Sequence, residues 1–222
     1  MRNLLVGLLF VAVPACAYAN DSSTAPSIYT ELSLGASFIP TVSTKTYTLT
    51  DGLNVATGKV NLNYATGLTA GLEVGAAGVG VPEIRLGLGY DYLRATFSSG
   101  VVVGTLNGAP GSFAFNRSDL STIGISLDNS VHVLTGNVTY DLPNWGAVTP
   151  YVGGGAGAAF IEHANTELAL TATAGLRVAI NSYTYVGVRY RYYRITGPTD
   201  SFGIRYDDIS NHSVMALFGM AD

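Results

Sequence analysis

The stretch 183–195, Tyr-Thr-Tyr-Val-Gly-Val-Arg-Tyr-Arg-Tyr-Tyr-Arg-Ile, separates its side chains by parity. In an extended chain Thr184, Val186, Val188, Tyr190 and Tyr192 share one face, and Tyr185, Gly187, Arg189, Arg191 and Tyr193 share the other. One face is apolar and aromatic, the other cationic. β-Branched and aromatic residues favour a pleated strand, and the alternation has a period of two, whereas a helix would repeat its apolar positions every three or four residues. The stretch is a two-faced strand, and it is long enough to cross a bilayer, which takes about 9–11 tilted residues.

Alternation alone allows two closures. A soluble barrel turns the valines inward and the arginines to water, while a membrane barrel turns the valines to lipid and the arginines into its lumen. Charge content separates them: 12% of the chain is Asp, Glu, Lys or Arg, against about 25% in ordinary soluble domains. Glycine supplies 27 of 222 residues, and the mean hydropathy is +0.31. Too few charges remain to coat a soluble surface, which places lipid outside. A soluble ligand-binding barrel in the periplasm is the third-ranked alternative.

The beginning of the chain has the pattern of an export signal. Arg2 gives a short positive region, residues 4–13 are apolar, and Ala17-Tyr18-Ala19 forms a small-residue cleavage signal before Asn20. Residues 1–19 read as a signal peptide and 20–222 as one barrel domain. The apolar run is too short for a spanning helix, and no later segment offers about eighteen uninterrupted apolar residues. Val13-Pro14-Ala15-Cys16 is similar to a lipoprotein processing site, although Pro14 fits it poorly. Cys16 is the single cysteine, so removal of the leader leaves no disulfide and no thiolate metal site. A formal net charge of −4, a pI near 5.2 and the lack of a basic run give no reason to expect nucleic-acid binding.

Further strands follow the same rule. Residues 28–38 set Ile28, Thr30, Leu32, Leu34, Ala36 and Phe38 against Tyr29, Glu31, Ser33, Gly35 and Ser37; residues 66–75 set Leu68, Ala70, Leu72 and Val74 against Thr69, Gly71, Glu73 and Gly75. Residues 83–92 place Ile84, Leu86, Leu88, Tyr90 and Tyr92 opposite Glu83, Arg85, Gly87, Gly89 and Asp91. Strands are also read at 131–141, 149–160, 168–180 and 212–220, the parity of 149–160 staying open because Gly153-Gly154-Gly155 and Gly157 interrupt it. Between them 39–65 reads as a long loop with room for a hairpin extension, about 94–129 as a mobile external loop, and 196–211 as a third external loop. Pro143-Asn144-Trp145-Gly146 and Asn181-Ser182 mark short turns. Short and long connections alternating in this way are expected of an eight-stranded antiparallel up-and-down transmembrane β-barrel, with Tyr90, Tyr92, Tyr140, Trp145, Tyr190 and Tyr192 as interface girdles.

Three segments carry a family resemblance: Val138-Thr139-Tyr140-Asp141-Leu142-Pro143, then Thr149-Pro150-Tyr151-Val152-Gly153-Gly154-Gly155, then Val188-Arg189-Tyr190-Arg191-Tyr192. Together they resemble the outer-membrane β-barrel family of opacity proteins and related bacterial surface antigens, most clearly over 131–195. The resemblance implies an eight-stranded barrel in a Gram-negative outer membrane, surface exposure, adhesion or immune recognition through the loops, and in some members small-pore activity. It implies as partners outer-membrane lipid, the barrel assembly machinery and a host or cell-surface ligand, for a monomer without cofactors. In one respect the chain departs from the pattern: such barrels usually end on an aromatic residue that assists assembly, and this one ends Phe218-Gly219-Met220-Ala221-Asp222.

Glu31, Glu73, Arg85, Asp91, Arg177, Arg189 and Arg191 fall on the inward face. Eight strands enclose a space only about wide enough for side chains to fill, and an unpaired ion inside it is costly. The expectation is an interior network of ion pairs that plugs the lumen; the alternative is a narrow ion or small-solute pathway lined by Arg189 and Arg191. Neither metal nor catalytic chemistry is expected. His132, His163 and His212 lack metal-ligand spacing, and His212 and Ser213, adjacent on a strand, point to opposite faces and cannot form a nucleophile–base pair.

Overall fold

The computed structural model describes residues 26–162, 164–200 and 203–222. The leader read over 1–19, with Cys16, and His163 lie outside these. In chain order the elements are β1 (Ser27–Phe38), β2 (Val42–Ser43), β3 (Tyr47–Thr50), β4 (Val55–Ala77), β5 (Ile84–Leu106), β6 (Ala109–Asn116), a short helix α1 (Arg117–Thr122), β7 (Asn129–Asp141), β8 (Val148–Ile161), β9 (Thr166–Ala179), β10 (Thr184–Ile195) and β11 (Ile209–Ala221). Eight of them close a ring in the order β1, β4, β5, β7, β8, β9, β10, β11, each antiparallel to the next. The ring is sealed where β11 returns to β1, from Tyr29 opposite Ala221 to Phe38 opposite His212. Sealing leaves no unpaired edge, the condition a sheet must meet in hydrocarbon, where no water can satisfy a free N–H or C=O.

Parity decides the two surfaces. On β10, Tyr185, Arg189, Arg191, Tyr193 and Ile195 are buried in the interior, while Val186, Val188 and Tyr190 face out. The same division around the ring leaves more than twenty large apolar side chains exposed on the outer wall, Leu34, Leu88 and Val188 among them. Leaving one Leu or Val in water forgoes about 1.5–3 kcal/mol, and a continuous belt of them is stable only against lipid. The molecule is therefore a transmembrane barrel. No described helix is long and apolar enough to cross a membrane; the strands cross it. Parity on β8 is also settled: Tyr151, Ala159 and Ile161 are buried inside, whereas Val152 and Phe160 face lipid.

One end of the barrel has only the tight connections 78–83, 142–147 and 180–183. The other end carries an ordered crown, and here two sequence expectations need correction. The segment 39–65, read as a long loop with room for a hairpin extension, does hold a hairpin, β3 against the start of β4, but it is mostly strand, with β2 and the first half of β4, and the mobile loop expected over 94–129 is mostly β5, β6 and α1. β4 and β5 pair beyond the belt, from Ala56 opposite Leu106 to Ala65 opposite Thr96, and β6 adds on β5 from Leu106 opposite Ala109 to Ser99 opposite Asn116. A strand outside lipid need not alternate apolar with polar residues, which is why Gly58, Lys59, Asn61 and Asn63 looked like loop. The turn itself was marked: Asn107 and Gly108 have φ of 51° and 83°, the left-handed pair of a two-residue hairpin for which Asn-Gly is the preferred sequence. A third departure is the connection 162–165, short although it lies at the crown end.

The crown is tied together. Thr44 bridges Tyr206, the Lys45 amide donates to Arg205 O at 2.7 Å and the Asp207 amide to Ser43 O at 2.8 Å, joining the segments after β1 and after β10. Helix α1 starts on a reciprocal cap, Asn116 Oδ1 accepting from the Ser118 and Asp119 amides and Asp119 Oδ2 from the Asn116 amide. An ordered crown predicts slow hydrogen exchange, measured by NMR on the folded barrel, for the ladder amides of 56–65 and 96–106. Exchange as fast as in 78–83 would return both segments to loops.

Candidate functional site

Paired strands aim the seven charged residues expected inside into one lumen. Gly175 and Gly219 face the same space, where a Cβ would run into the rings of Tyr151 and Tyr185; their bareness lets two tyrosines lie among the ions. Arg85 Nε donates to Asp141 Oδ2 at 2.8 Å. Arg177 donates to the other oxygen of Asp141 at 2.6 Å and through Nε to Glu31 Oε1 at 2.8 Å. Glu31 also pairs with Arg189, which lies 3.5 Å from Glu73 Oε2. Arg191 completes the series, reaching Glu73 Oε2 at 2.8 Å and Asp91 Oδ2 at 2.7 Å.

The result is an unbroken chain of alternating sign: Arg85, Asp141, Arg177, Glu31, Arg189, Glu73, Arg191, Asp91. Four guanidiniums meet four carboxylates, so the lumen carries no net charge from these groups. Tyrosines and an amide finish the carboxylates: Tyr185 OH donates to Glu31 at 2.9 Å, Tyr29 OH to Glu73 at 2.8 Å and Asn137 to Glu73 at 3.2 Å. Tyr151 OH accepts from Arg189 Nε at 3.0 Å, and its ring lies 3.7 Å from the Arg177 guanidinium carbon, a cation–π contact. All seven expected residues join the chain. Asp141 completes it; at the end of β7 it shares the parity of the buried Thr135, Asn137 and Thr139, but a strand-end Asp reads as a turn residue. Tyr151 was hidden by the glycines that follow it.

Above the ions the lumen changes character. Leu93, Val133, Ala159, Ile161, Ala169, Tyr193 and Ile195 form a buried cluster, none of them more than 6% exposed. This dry layer separates the ion chain from the crown. A second cluster, Val42, Leu62 and Phe97, lies within the crown. Between the two is a cavity of about 360 Å³. It shares Val131, Ile161 and Ile209 with the lower cluster and Val42, Leu62 and Tyr206 with the upper one, and Asp128, Glu162 and Asp200 stand among its walls. Burial and the Asp128 carboxylate push the Tyr64 hydroxyl in its wall up to about 12, and burial and Asp200 raise that of Tyr206.

The described histidines belong to neither place. Tyr90 OH lies 2.6 Å from His132 Nδ1 and Tyr190 OH 2.7 Å from His212 Nδ1 on the outer wall, while Ser213 is buried inside against Asn211. His212 and Ser213 are thus on opposite faces of β11. Among the described residues no group of three His, Cys, Asp or Glu is placed to hold a metal ion.

No family model and no curated protein matches the sequence. Solved structures do. Neisserial surface protein A is similar over 89% of this chain and 97% of its own, with 14% identity and a TM-score of 0.52. The fold is that of a small outer-membrane β-barrel. OprG from Pseudomonas aeruginosa shares 14% identity over 89% of this chain and 96% of its own at a TM-score of 0.47. Ail of Yersinia pestis, in complex with the heparin analogue sucrose octasulfate, shares 13% over 88% and 99% at 0.42. The eight-stranded architecture expected from the opacity-protein resemblance is borne out.

Arg189 stands between two carboxylates, and removing one partner of a buried ion pair costs about 3–5 kcal/mol. Arg189→Leu is expected to lose that much in urea unfolding of the barrel in lipid vesicles. A loss under about 1 kcal/mol, the value of an exposed pair, would show that water reaches the chain.

Proposed function

We propose that the protein is an outer-membrane surface protein of a Gram-negative bacterium, exported by its leader, whose barrel is a closed anchor and whose crown does the work of adhesion or recognition. One observation carries the reading: the lumen is filled twice, by a neutral chain of ion pairs and by a dry apolar layer above it. An ion entering from the outside would have to shed its water among Leu93, Val133, Tyr193 and Ile195, with no charge or carbonyl ring to replace the shell. An ion entering from the other end meets side chains already paired. The crown, by contrast, is ordered, held by its own hydrogen bonds, and presented to the outside.

Planar-bilayer conductance of the inserted barrel tests this. Silence is expected from the native protein, and discrete steps are expected once Leu93→Ser and Tyr193→Ser are combined to thin the apolar layer. Reproducible steps from the native barrel would overturn the closed anchor and favour a narrow pathway, with Arg189→Glu then expected to alter ion selectivity while leaving the barrel folded. A plugged lumen predicts that Arg189→Glu fails to refold, because it sets three carboxylates at positions 31, 73 and 189 together.

A further inference from the structure

The outer wall carries one arrangement twice. On β5 the outward residues Tyr90, Tyr92 and Arg94 stand opposite Leu134, His132 and Ser130 of β7. On β10 the outward residues Tyr190, Tyr192 and Arg194 stand opposite Val214, His212 and Ser210 of β11. Two tyrosines, an arginine, a histidine and a serine thus recur in the same places on two strand pairs. In each, the first tyrosine's hydroxyl meets the imidazole Nδ1, at 2.6 Å from Tyr90 to His132 and 2.7 Å from Tyr190 to His212. The second tyrosine's ring lies against the same imidazole, with centroids 5.2 Å apart for Tyr92 and 5.1 Å for Tyr192. A girdle of aromatic rings accounts for the tyrosines and leaves the imidazoles and guanidiniums unexplained.

The two patches also share a height. β5 and β10 both rise from the tight-turn end, and Tyr90 and Tyr190 each stand six residues beyond the first residue of the strand, Ile84 and Thr184. Below them the outward residues of the four strands are uncharged, Leu86, Leu88, Val186, Val188 and Phe218 among them, so Arg94 and Arg194 are the first outward charges above the apolar belt. Around the ring the patches are half a turn apart, with β8 and β9 between them on one side and β1 and β4 on the other. A protein partner reading both would have to encircle the barrel, whereas lipid already does.

Each patch offers donors. One proton lies between the tyrosine oxygen and Nδ1, and whichever partner supplies it, one more remains to be given, from Nε2–H or from the tyrosine hydroxyl. Arg94 has no ion-pair partner among the described residues. Each patch has one carboxylate at its crown edge: Glu162 accepts from Ser130 Oγ at 2.6 Å, and Asp208 accepts from Arg194 at 2.7 Å. The side chains of Arg194 and Asp208 are 59% and 42% exposed, so solvent screens that pair, and it uses only two of the five guanidinium N–H groups. A guanidinium, an imidazole and hydroxyls at the rim of hydrocarbon suit an anion rich in acceptor oxygens and held at headgroup depth. We propose that each patch is a binding site for the phosphate of a lipid in the crown-side leaflet, whose acyl chains run down the apolar wall beneath Tyr90 or Tyr190. The Arg94 patch, with its guanidinium unclaimed, is the tighter of the two. This goes beyond the closed-anchor reading and rests only on the barrel's place in the outer membrane.

Native mass spectrometry of the folded barrel in dodecyl maltoside counts bound lipids while dilauroyl phosphatidic acid is titrated in, or dilauroylglycerol, which has the same chains and no phosphate. Hydrogen bonds to a charged group make the phosphatidic acid at least about tenfold tighter, saturating at one lipid per patch. Arg94→Leu with His132→Leu should remove one lipid, Arg194→Leu with His212→Leu the other, and all four together should leave only the affinity of the diacylglycerol. Glutamine at the same positions replaces leucine should a leucine variant not fold, and Arg117→Leu, which removes a crown charge outside the patches, should keep both lipids. Diacylglycerol binding as tight as phosphatidic acid, or undiminished phosphatidic acid binding by the folded fourfold variant, overturns the assignment. Displacement of the lipid by excess inorganic phosphate also overturns it, in favour of a free-anion site. The two proposals fail separately. A silent barrel without preference for the phosphate loses the lipid sites and keeps the closed anchor, whereas a conducting barrel that holds both lipids loses the anchor alone.

Discussion

Hydrocarbon offers no hydrogen bonds, and the rest of this molecule depends on that. A sheet in lipid has to close, and eight strands close on a space that side chains can fill. The lumen is then a core, subject to the rules of cores: dense packing, and charges paired so that the ion chain carries no net charge. The usual distribution of a soluble domain is inverted here, with leucines on the wall and arginines in the middle. Low charge content and abundant glycine both follow. Few charges are needed when most of the wall meets lipid, and bare inward positions such as Gly175 and Gly219 are what allow Tyr151 and Tyr185 to share the lumen with guanidiniums.

Why the lower lumen should be ionic when an apolar filling packs as well is a question of register. Replacing a buried ion pair by hydrocarbon is often neutral or stabilising, so stability alone does not explain four arginines in a row with four acids. Register does. A one-residue slip of any strand turns its inward set to the outside, and on β10 that would expose Arg189 and Arg191 to lipid at about 2–4 kcal/mol each near the midplane. An interior of leucines facing a wall of leucines would register no such error. The ion chain gives β1, β4, β5, β7, β9 and β10 one mutually consistent alignment, since each link joins different strands.

Much of this was legible in the sequence, and the illegible part has a physical boundary. Inside the membrane belt, parity is enforced on both faces, so Glu31, Glu73, Arg85, Asp91, Arg177, Arg189 and Arg191 could all be placed before any coordinates. Partners could not, because parity says which face a residue takes and nothing of how strands align. Outside the belt the constraint lapses. Val55–Ala65 and Thr96–Leu106 are strands held by backbone ladders in water, their side chains free to be Lys59 or Asn61, and only the Asn107-Gly108 turn betrayed the hairpin. The cavity was invisible for a further reason: Val42, Asp128, Ile161 and Tyr206 come from four separate segments that only the folded crown brings together.

The apolar layer is where these two regimes meet. Leu93, Tyr193 and Ile195 occupy inward positions in the same strands that carry Asp91 and Arg191, so one period-two pattern changes from ionic to hydrocarbon within a few residues. Below that point the carboxylates are matched one to one with guanidiniums. Above it, water and a crown of carboxylates stand only a few side chains away. Without the layer, the acids of the crown and those of the lumen would share a solvent path, and external salt would screen the pairs that fix the register. With it, the ion chain stays dry and strong, and the crown is free to vary its surface without disturbing the barrel that holds it. The proposed division of labour between anchor and surface rests on that one apolar layer.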